Sequence, residues 1–370
     1  MDPLVLPSTA DALAGAAVSQ PSASLQLGRY SPQRLIGLLV IGVGLLVGVA
    51  LVAALFGGIP LHLGAALENV GTDGTIFWKL RLPRVLLGAV VGAGLCAAGA
   101  ALQALLQNPL ADPFVLGVSG GAAAGATAAL LVGELLGARF GTWNQGALGF
   151  SPQVVFGFGG ALLSAFLVRA VGSRSGRLVG AAALLAGAVI NAVAGALVLL
   201  AQVALSPDRA QQNLLWLAGS LGYPPPSTLW VAAICVTGGC AGLCLLAGRI
   251  RLLALGNDAA AQLGIDVANT ARWTLALTSL VVAAAVAVSG LIGFVGLLVP
   301  HLLRMRLGPD QRLLLPASVF GGAIFLVAAD AAGRLAFLPL GIEPPVGALT
   351  ALLGGPLFLV LLRRSLRSVA

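Results

Sequence analysis

Between Arg84 and Asp112 the chain carries no charged side chain. The run from Val85 to Leu106 is about 22 residues of apolar and small side chains. At about 1.5 Å of rise per residue, that is enough for one helix to cross a hydrocarbon layer about 30 Å thick. Similar runs recur to the end of the chain. Only 9% of the 370 residues are charged, where a soluble domain carries about 25%, and the mean hydropathy is +1.02. An ordinary soluble domain is thereby excluded. The 51 glycines sit within long apolar runs and not in alternating ten-residue strands, which argues against a transmembrane barrel. The expected fold class is all-α: a polytopic membrane protein with about ten transmembrane helices.

Residues 1–35 read as a polar N-terminal tail rich in Ser, Ala and Pro. The tail lacks the basic and apolar order of a cleaved signal peptide. Residues 36–370 read as one transmembrane domain. Spans are expected near 36–57, 83–106, 118–137, 152–171, 178–204, 228–247, 272–290, 292–304, 313–333 and 345–362. The eighth is short and broken by glycines and Pro300. Threading the chain with its N-terminus inside returns the C-terminus inside. That threading leaves Lys79, Arg81, Arg84, Arg139, Arg209 and Arg334 outside, and the rest of the 20 basic residues on the cytoplasmic side. This is the bias expected of an inserted protein. The net charge of +8 therefore points to anionic lipid and not to nucleic acid. Cys96, Cys235, Cys240 and Cys244 lie in apolar runs without metal-ligand spacing and read as core residues.

Several stretches are specific in wording: Arg81-Leu82-Pro83-Arg84, the Gly/Ala-rich span ending in Gln103, the turn Gln107-Asn108-Pro109-Leu110-Ala111-Asp112-Pro113, and Gly117-Val118-Ser119-Gly120-Gly121-Ala122. Ser289 to Arg304 and Gly308 to Pro316 add to them. Together they resemble the permease subunits of ATP-binding-cassette importers for iron–siderophores, haem and cobalamin, from residue 36 onward. The resemblance implies a bacterial inner-membrane, multi-pass homodimer with the transport path between its two copies. It also implies two ATPase subunits inside and a periplasmic substrate-binding protein outside. Cargo would cross by alternating access. ATP and magnesium would belong to the ATPase, with no cofactor bound by this chain. Consistently, the phosphate-binding pattern Gly-x-x-x-x-Gly-Lys-Ser/Thr is absent; the only lysine, Lys79, lies between Trp78 and Leu80.

Arg81 and Arg84 are three apart at the outer mouth of the second span, and Arg334 lies at the outer end of the ninth. From spacing alone, Arg334 can simply pair with Asp330 four residues earlier. The resemblance instead implies that these arginines receive acidic residues of the binding protein, which a planar guanidinium grips at two points. The cytoplasmic segment 252–265 is a capped, exposed helix by its residues, with Asn257 or Asp258 able to start it and Gly264 to end it. The resemblance makes Leu255, Gly256, Asn257, Asp258, Ala259, Ala260, Gln262, Leu263 and Gly264 the element that couples to the ATPase. It also suggests the fifth span, with Asn191 and Gln202, as a wall of the path.

Haem is the favoured cargo, partly on the wording of Leu214 to Leu221, followed by a ferric siderophore and cobalamin. His62, on the outer side, is an open candidate for a haem contact. His301, beside Arg304, reads as structural or gating, and two such distant histidines make no metal site. An ion-coupled transporter would require charges buried in the spans, and an intramembrane enzyme a nucleophile–base set. The sequence supplies neither pattern.

Overall fold

The computed structural model describes residues 30–55, 57, 62–69, 71–137, 150–174, 177–178, 180–336, 339, 341 and 343–367. Arg139 and most of the expected polar tail lie outside them. The first long helix, α1 (Pro32–Leu55), is followed by the short α2 (Leu63–Leu67) and α3 (Gly71–Thr75). A π-turn over Ile76–Arg81 leads without a break into α4 (Leu82–Leu105). Next come α5 (Val118–Leu136), α6 (Pro152–Gly172), α7 (Gly180–Ala204), α8 (Pro207–Leu217) and α9 (Pro226–Leu245). The chain then passes through α10 (Ala247–Leu253), α11 (Asn257–Gln262), α12 (Val267–Ser289), α13 (Val295–Leu307), α14 (Gln311–Ala336) and α15 (Val346–Arg367). The one strand pair among the described residues, β1 (Ser173–Arg174) with β2 (Arg177–Leu178), is a two-residue antiparallel clip between α6 and α7. Helices stand at all ten expected spans, and eight of them are long and apolar enough to cross a membrane.

The bundle is built around α4. Leu87, Val91, Leu95, Cys96, Ala98 and Leu102 are fully enclosed by α9, α12, α13 and α14. Small residues permit this. A methyl group added at Gly92 would strike the Gly322 carbonyl, and one at Gly322 would strike the Gly92 carbonyl. Gly121 of α5 and Gly160 of α6 oppose each other in the same way. Among lipid chains no hydrophobic force draws helices together, so close backbone approach supplies the attraction.

Two local departures follow from proline and glycine. The second span was expected to begin near residue 83, but the helix runs in from Gly71. Its widened turn sits just before Pro83, which cannot donate to the carbonyl four residues back and whose ring crowds that carbonyl. The eighth span is not broken at Pro300, which lies inside α13. The break is the irregular segment 290–294 ahead of it, where Gly290 takes φ +69° and Phe294 φ +66°. Thirteen residues of helix reach only about 20 Å, short of a hydrocarbon core about 30 Å thick, and the irregular segment ahead of α13 lengthens this stretch. Its backbone is tolerated at depth because it is buried in protein: Ile292 is inaccessible, and the adjoining Ser289 carbonyl accepts the Ser220 N–H at 2.8 Å.

Candidate functional site

The three outer arginines do converge, but they face inward. Arg81, Arg84 and Arg334 are only 6%, 5% and 9% exposed. A helix leaves its last carbonyls without partners. At the end of α1, Arg81 Nη1 donates to the carbonyls of Leu55 (2.7 Å) and Ala54 (3.2 Å), and Arg334 Nη2 donates to that of Ala53 (3.2 Å). These cations cap the negative end of the helix. Arg84 faces a carboxylate centre instead. Its Nη2 lies 2.9 Å from Asp330 Oδ1, and its Nε donates to the same carboxylate at 3.2 Å. Arg334 Nε lies 3.1 Å from Asp330 Oδ2, so one buried carboxylate serves two guanidinium groups. In this structure each of the three arginines is engaged within the chain. The pairing of Arg334 with Asp330 that spacing alone allowed is present.

Two participants were not read from the sequence. Arg84 Nη1 donates to Glu343 Oε2 and to the Tyr223 hydroxyl, and its guanidinium lies 5.5 Å from the Tyr223 ring centre. Tyr223 and Glu343 stand in irregular outer segments far from Arg84 in the chain, so no periodicity marks them. Glu343 has a side chain 55% exposed. It is the accessible end of an otherwise buried ion cluster.

On the arginine-rich side, α10 and α11 form a projecting elbow. Gly256, with φ +113°, turns the chain between them and is the N-cap of α11, where no side chain caps. Asn257 and Asp258 lie within the helix, against the expectation that one of them caps it. Gly264, with φ +82°, ends the turn as expected. The apolar residues divide between two sides: Ala260 is buried, while Leu255 and Leu263 are exposed along with Asp258, Gln262 and Gly264. Asn257, Ala259 and Gly256 are half-buried. The elbow is tied to the bundle at two points: Gln107 Nε2 donates to the Leu253 carbonyl at 3.1 Å, and Arg251 lies 3.9 Å from Asp310. Asp310 sits in the loop before α14. Burial alone would raise its pKa, but the hydrogen bonds and charge of Arg312, with Arg251 nearby, hold it below the usual carboxylate range. In the neighbouring loop Asp112 has no such cation. Burial pushes its pKa up to about 6, opposed by the Phe114 N–H that it accepts.

Asn191 and Gln202 are both used within the chain. Asn191 Nδ2 donates to the Phe114 carbonyl at 2.8 Å, and its Oδ1 accepts the Gly120 N–H at 3.2 Å. Gln202 Nε2 donates to the Ala210 carbonyl, and its Oε1 accepts from Asn213, whose own Oδ1 accepts the Thr127 hydroxyl. They tether α7 to the loop before α5 and to α8. What α7 leaves open is an apolar stripe at helical spacing: Leu185, Val189, Val193, Leu197 and Leu200. His62 has a side chain 92% exposed beside Asp73, which accepts its backbone N–H at 3.1 Å and lies 3.2 Å from its Nδ1. His301 packs edge-on against Phe358. No cluster of His, Cys, Asp and Glu that could hold a metal occurs among the described residues.

The model of the FecCD transport family matches residues 38–364. The chain belongs to the FecCD transport family. The hemin transport system permease protein HmuU of Yersinia pestis is 41% identical over 340 residues, 91% of this chain and 97% of the relative. The cobalamin import system permease protein BtuC of Halobacterium salinarum is 38% identical, covering 82% of this chain and 76% of the relative. A solved structure of a metal-chelate type ABC transporter in an inward-facing conformation superposes with a TM-score of 0.73 at 31% identity. It covers 89% of this chain and 99% of that one. As a FecCD permease, the chain has its ion cluster and its elbow at opposite ends of the bundle, with α4 running between them.

Proposed function

We propose that this FecCD permease is the membrane subunit of an ATP-driven importer and that its cargo is haem. Two copies would form the path, with two ATPase subunits on the arginine-rich, cytoplasmic side. A substrate-binding protein would dock on the other side, all at the bacterial inner membrane. The observation that carries the reading is the similarity to a haemin permease over nearly that protein's whole length. The geometry supports it. An exposed short helix flanked by Leu255 and Leu263, braced on the ends of α4 and α14, suits a socket on a motor subunit. A push on it moves the bundle as a body. ATP and magnesium would act on that partner. The α7 stripe offers an apolar, weakly holding wall to a bulky cargo.

Docking at the outer mouth would use Arg84 through exchange. Glu343 occupies the position that a binding protein's carboxylate would take, and being exposed it can swing away. Arg81 and Arg334 would support that site from below by fixing the end of α1. His62 favours haem among the cargoes. Its Nδ1 lies 3.2 Å from the Asp73 carboxylate and Nε2 is the ring nitrogen left to solvent, the placement by which a carboxylate orients a metal-binding imidazole. Cobalamin is the second reading, supported by the BtuC relatives.

The test is a cargo panel. The permease would be reconstituted with its ATPase and binding protein, then offered haem, a ferric hydroxamate and cobalamin at equal concentration. Uptake of haem alone, slowed by His62→Ala, supports the reading. Uptake of either other cargo, with haem excluded, overturns the haem assignment.

A further inference from the structure

Helix α1 is attached to the bundle along one edge only. It is the most apolar of the eight long helices, and its apolar stretch is almost wholly unburied. Between α1, α13 and α14 runs an open trough of 730 Å³. Its walls are apolar, with Ile41 and Leu45 on α1 facing Ala317 and Phe320 on α14. Among the described residues, two charged side chains line it, Arg34 and Arg306, both cations. Arg34 is in the first turn of α1 and Arg306 in the last turn of α13. Both therefore stand at the same, arginine-rich end.

The length of the trough is informative. It extends from residue 34 to 45 on α1 and from 313 to 324 on α14. Eleven residues of helix rise about 16 Å. One leaflet of a hydrocarbon core about 30 Å thick is about 15 Å deep. A molecule filling the trough thus has an anionic group at the membrane surface and an acyl chain reaching the bilayer midplane. We propose that this trough is a binding site for an anionic phospholipid of the cytoplasmic leaflet, with its phosphate held by Arg34 and Arg306.

A second trough on the other flank of α1 provides an internal contrast. It is lined by Leu39, Val90, Val236, Cys240, Val319 and other uncharged residues. Lipid there has no headgroup partner, so that flank does not select by charge. Of these two troughs, the one with Arg34 and Arg306 is the one that carries cations for an anionic headgroup. The proposal does not depend on which cargo is carried.

The test uses the full permease–ATPase complex, exchanged into nanodiscs of equal phosphatidylglycerol and phosphatidylcholine. It is then stripped in mild detergent, and the retained lipid is counted by native mass spectrometry. Each cation near the phosphate plane contributes about fivefold, so the Arg34→Gln/Arg306→Gln double variant is expected to lose about 25-fold in preference for phosphatidylglycerol. Gly37→Leu fills the trough while keeping both cations, since a side chain at Gly37 meets open space. It should lower retention of both lipids at this site. Arg306→Gln alone, at an exposed position, carries the test if the double variant does not assemble. An unchanged headgroup preference in the arginine variant, or unchanged retention in Gly37→Leu, overturns the proposal.

Discussion

Replacing Asp330 with asparagine removes one charge and almost no volume. In the native protein this carboxylate is 4% exposed. It takes three short contacts from Arg84 and lies 3.1 Å from Arg334. The variant leaves two buried guanidinium groups facing a neutral amide. Removing one partner of a buried pair costs about 3–5 kcal/mol. Glu343 still neutralises part of Arg84, so the lower figure is expected, about 3 kcal/mol. That is roughly a 150-fold shift in the folding equilibrium. The assay is reversible unfolding of the purified permease in mixed micelles, with amide exchange at the end of α1. Because Asp330 orients Arg334, which caps the Ala53 carbonyl, exchange at residues 52–55 should quicken as well. Arg84→Met in an Asp330→Leu background should cost less than the sum of the two single changes, with a coupling of about 2 kcal/mol. A loss below about 0.5 kcal/mol in Asp330→Asn, the range of an ordinary surface change, would refute the view that this carboxylate holds the outer mouth together.

Three further outcomes follow from the same geometry. Glu343→Gln should tighten binding-protein docking by removing the internal competitor for Arg84, while Arg84→Glu should reduce docking at least tenfold; surface plasmon resonance on reconstituted permease measures both. Leu255→Ser/Leu263→Ser should lower ATP-driven uptake several-fold while the bundle's melting temperature stays within about 2 °C, since both side chains are exposed and surface changes cost little; a matching fall in thermal stability would instead make them packing residues. For Asp112, the folded pKa of about 6 lies above the ordinary 3.8, so the fold prefers the neutral acid. The resulting penalty is absent below about pH 4, grows between about pH 4 and 6, and is complete above, reaching up to about 3 kcal/mol. Asp112→Asn keeps an oxygen to accept the Phe114 N–H, so it should raise stability at pH 7 and flatten its pH dependence, as read by melting temperature across pH 4–8.

Most spans were legible because they are long apolar runs nearly free of charge, and a bilayer leaves an apolar chain few alternatives to a helix. Direction was not. Asn191 and Gln202 looked like polar points on a path wall, yet each faces a neighbouring loop or helix, because the orientation of one polar residue in a uniformly apolar helix leaves no periodic trace. Arg84 was found by its motif, but its environment was hidden. Asp330, Tyr223 and Glu343 lie 139 to 259 residues away in sequence, and only the tertiary fold brings them to one place. The start of α11 was misassigned for a local reason: the positive φ at Gly256 sets the turn, so no side-chain cap is required of Asn257 or Asp258.

The central claim, that this permease is moved by a partner's ATP hydrolysis, is tested most directly by haem uptake into proteoliposomes. These would contain the permease and its ATPase, with the binding protein outside and ATP either enclosed or withheld. The predicted result is accumulation only with enclosed ATP, lost in Leu255→Ser/Leu263→Ser and indifferent to a protonophore. Uptake that ignores ATP and collapses with the proton gradient would contradict it.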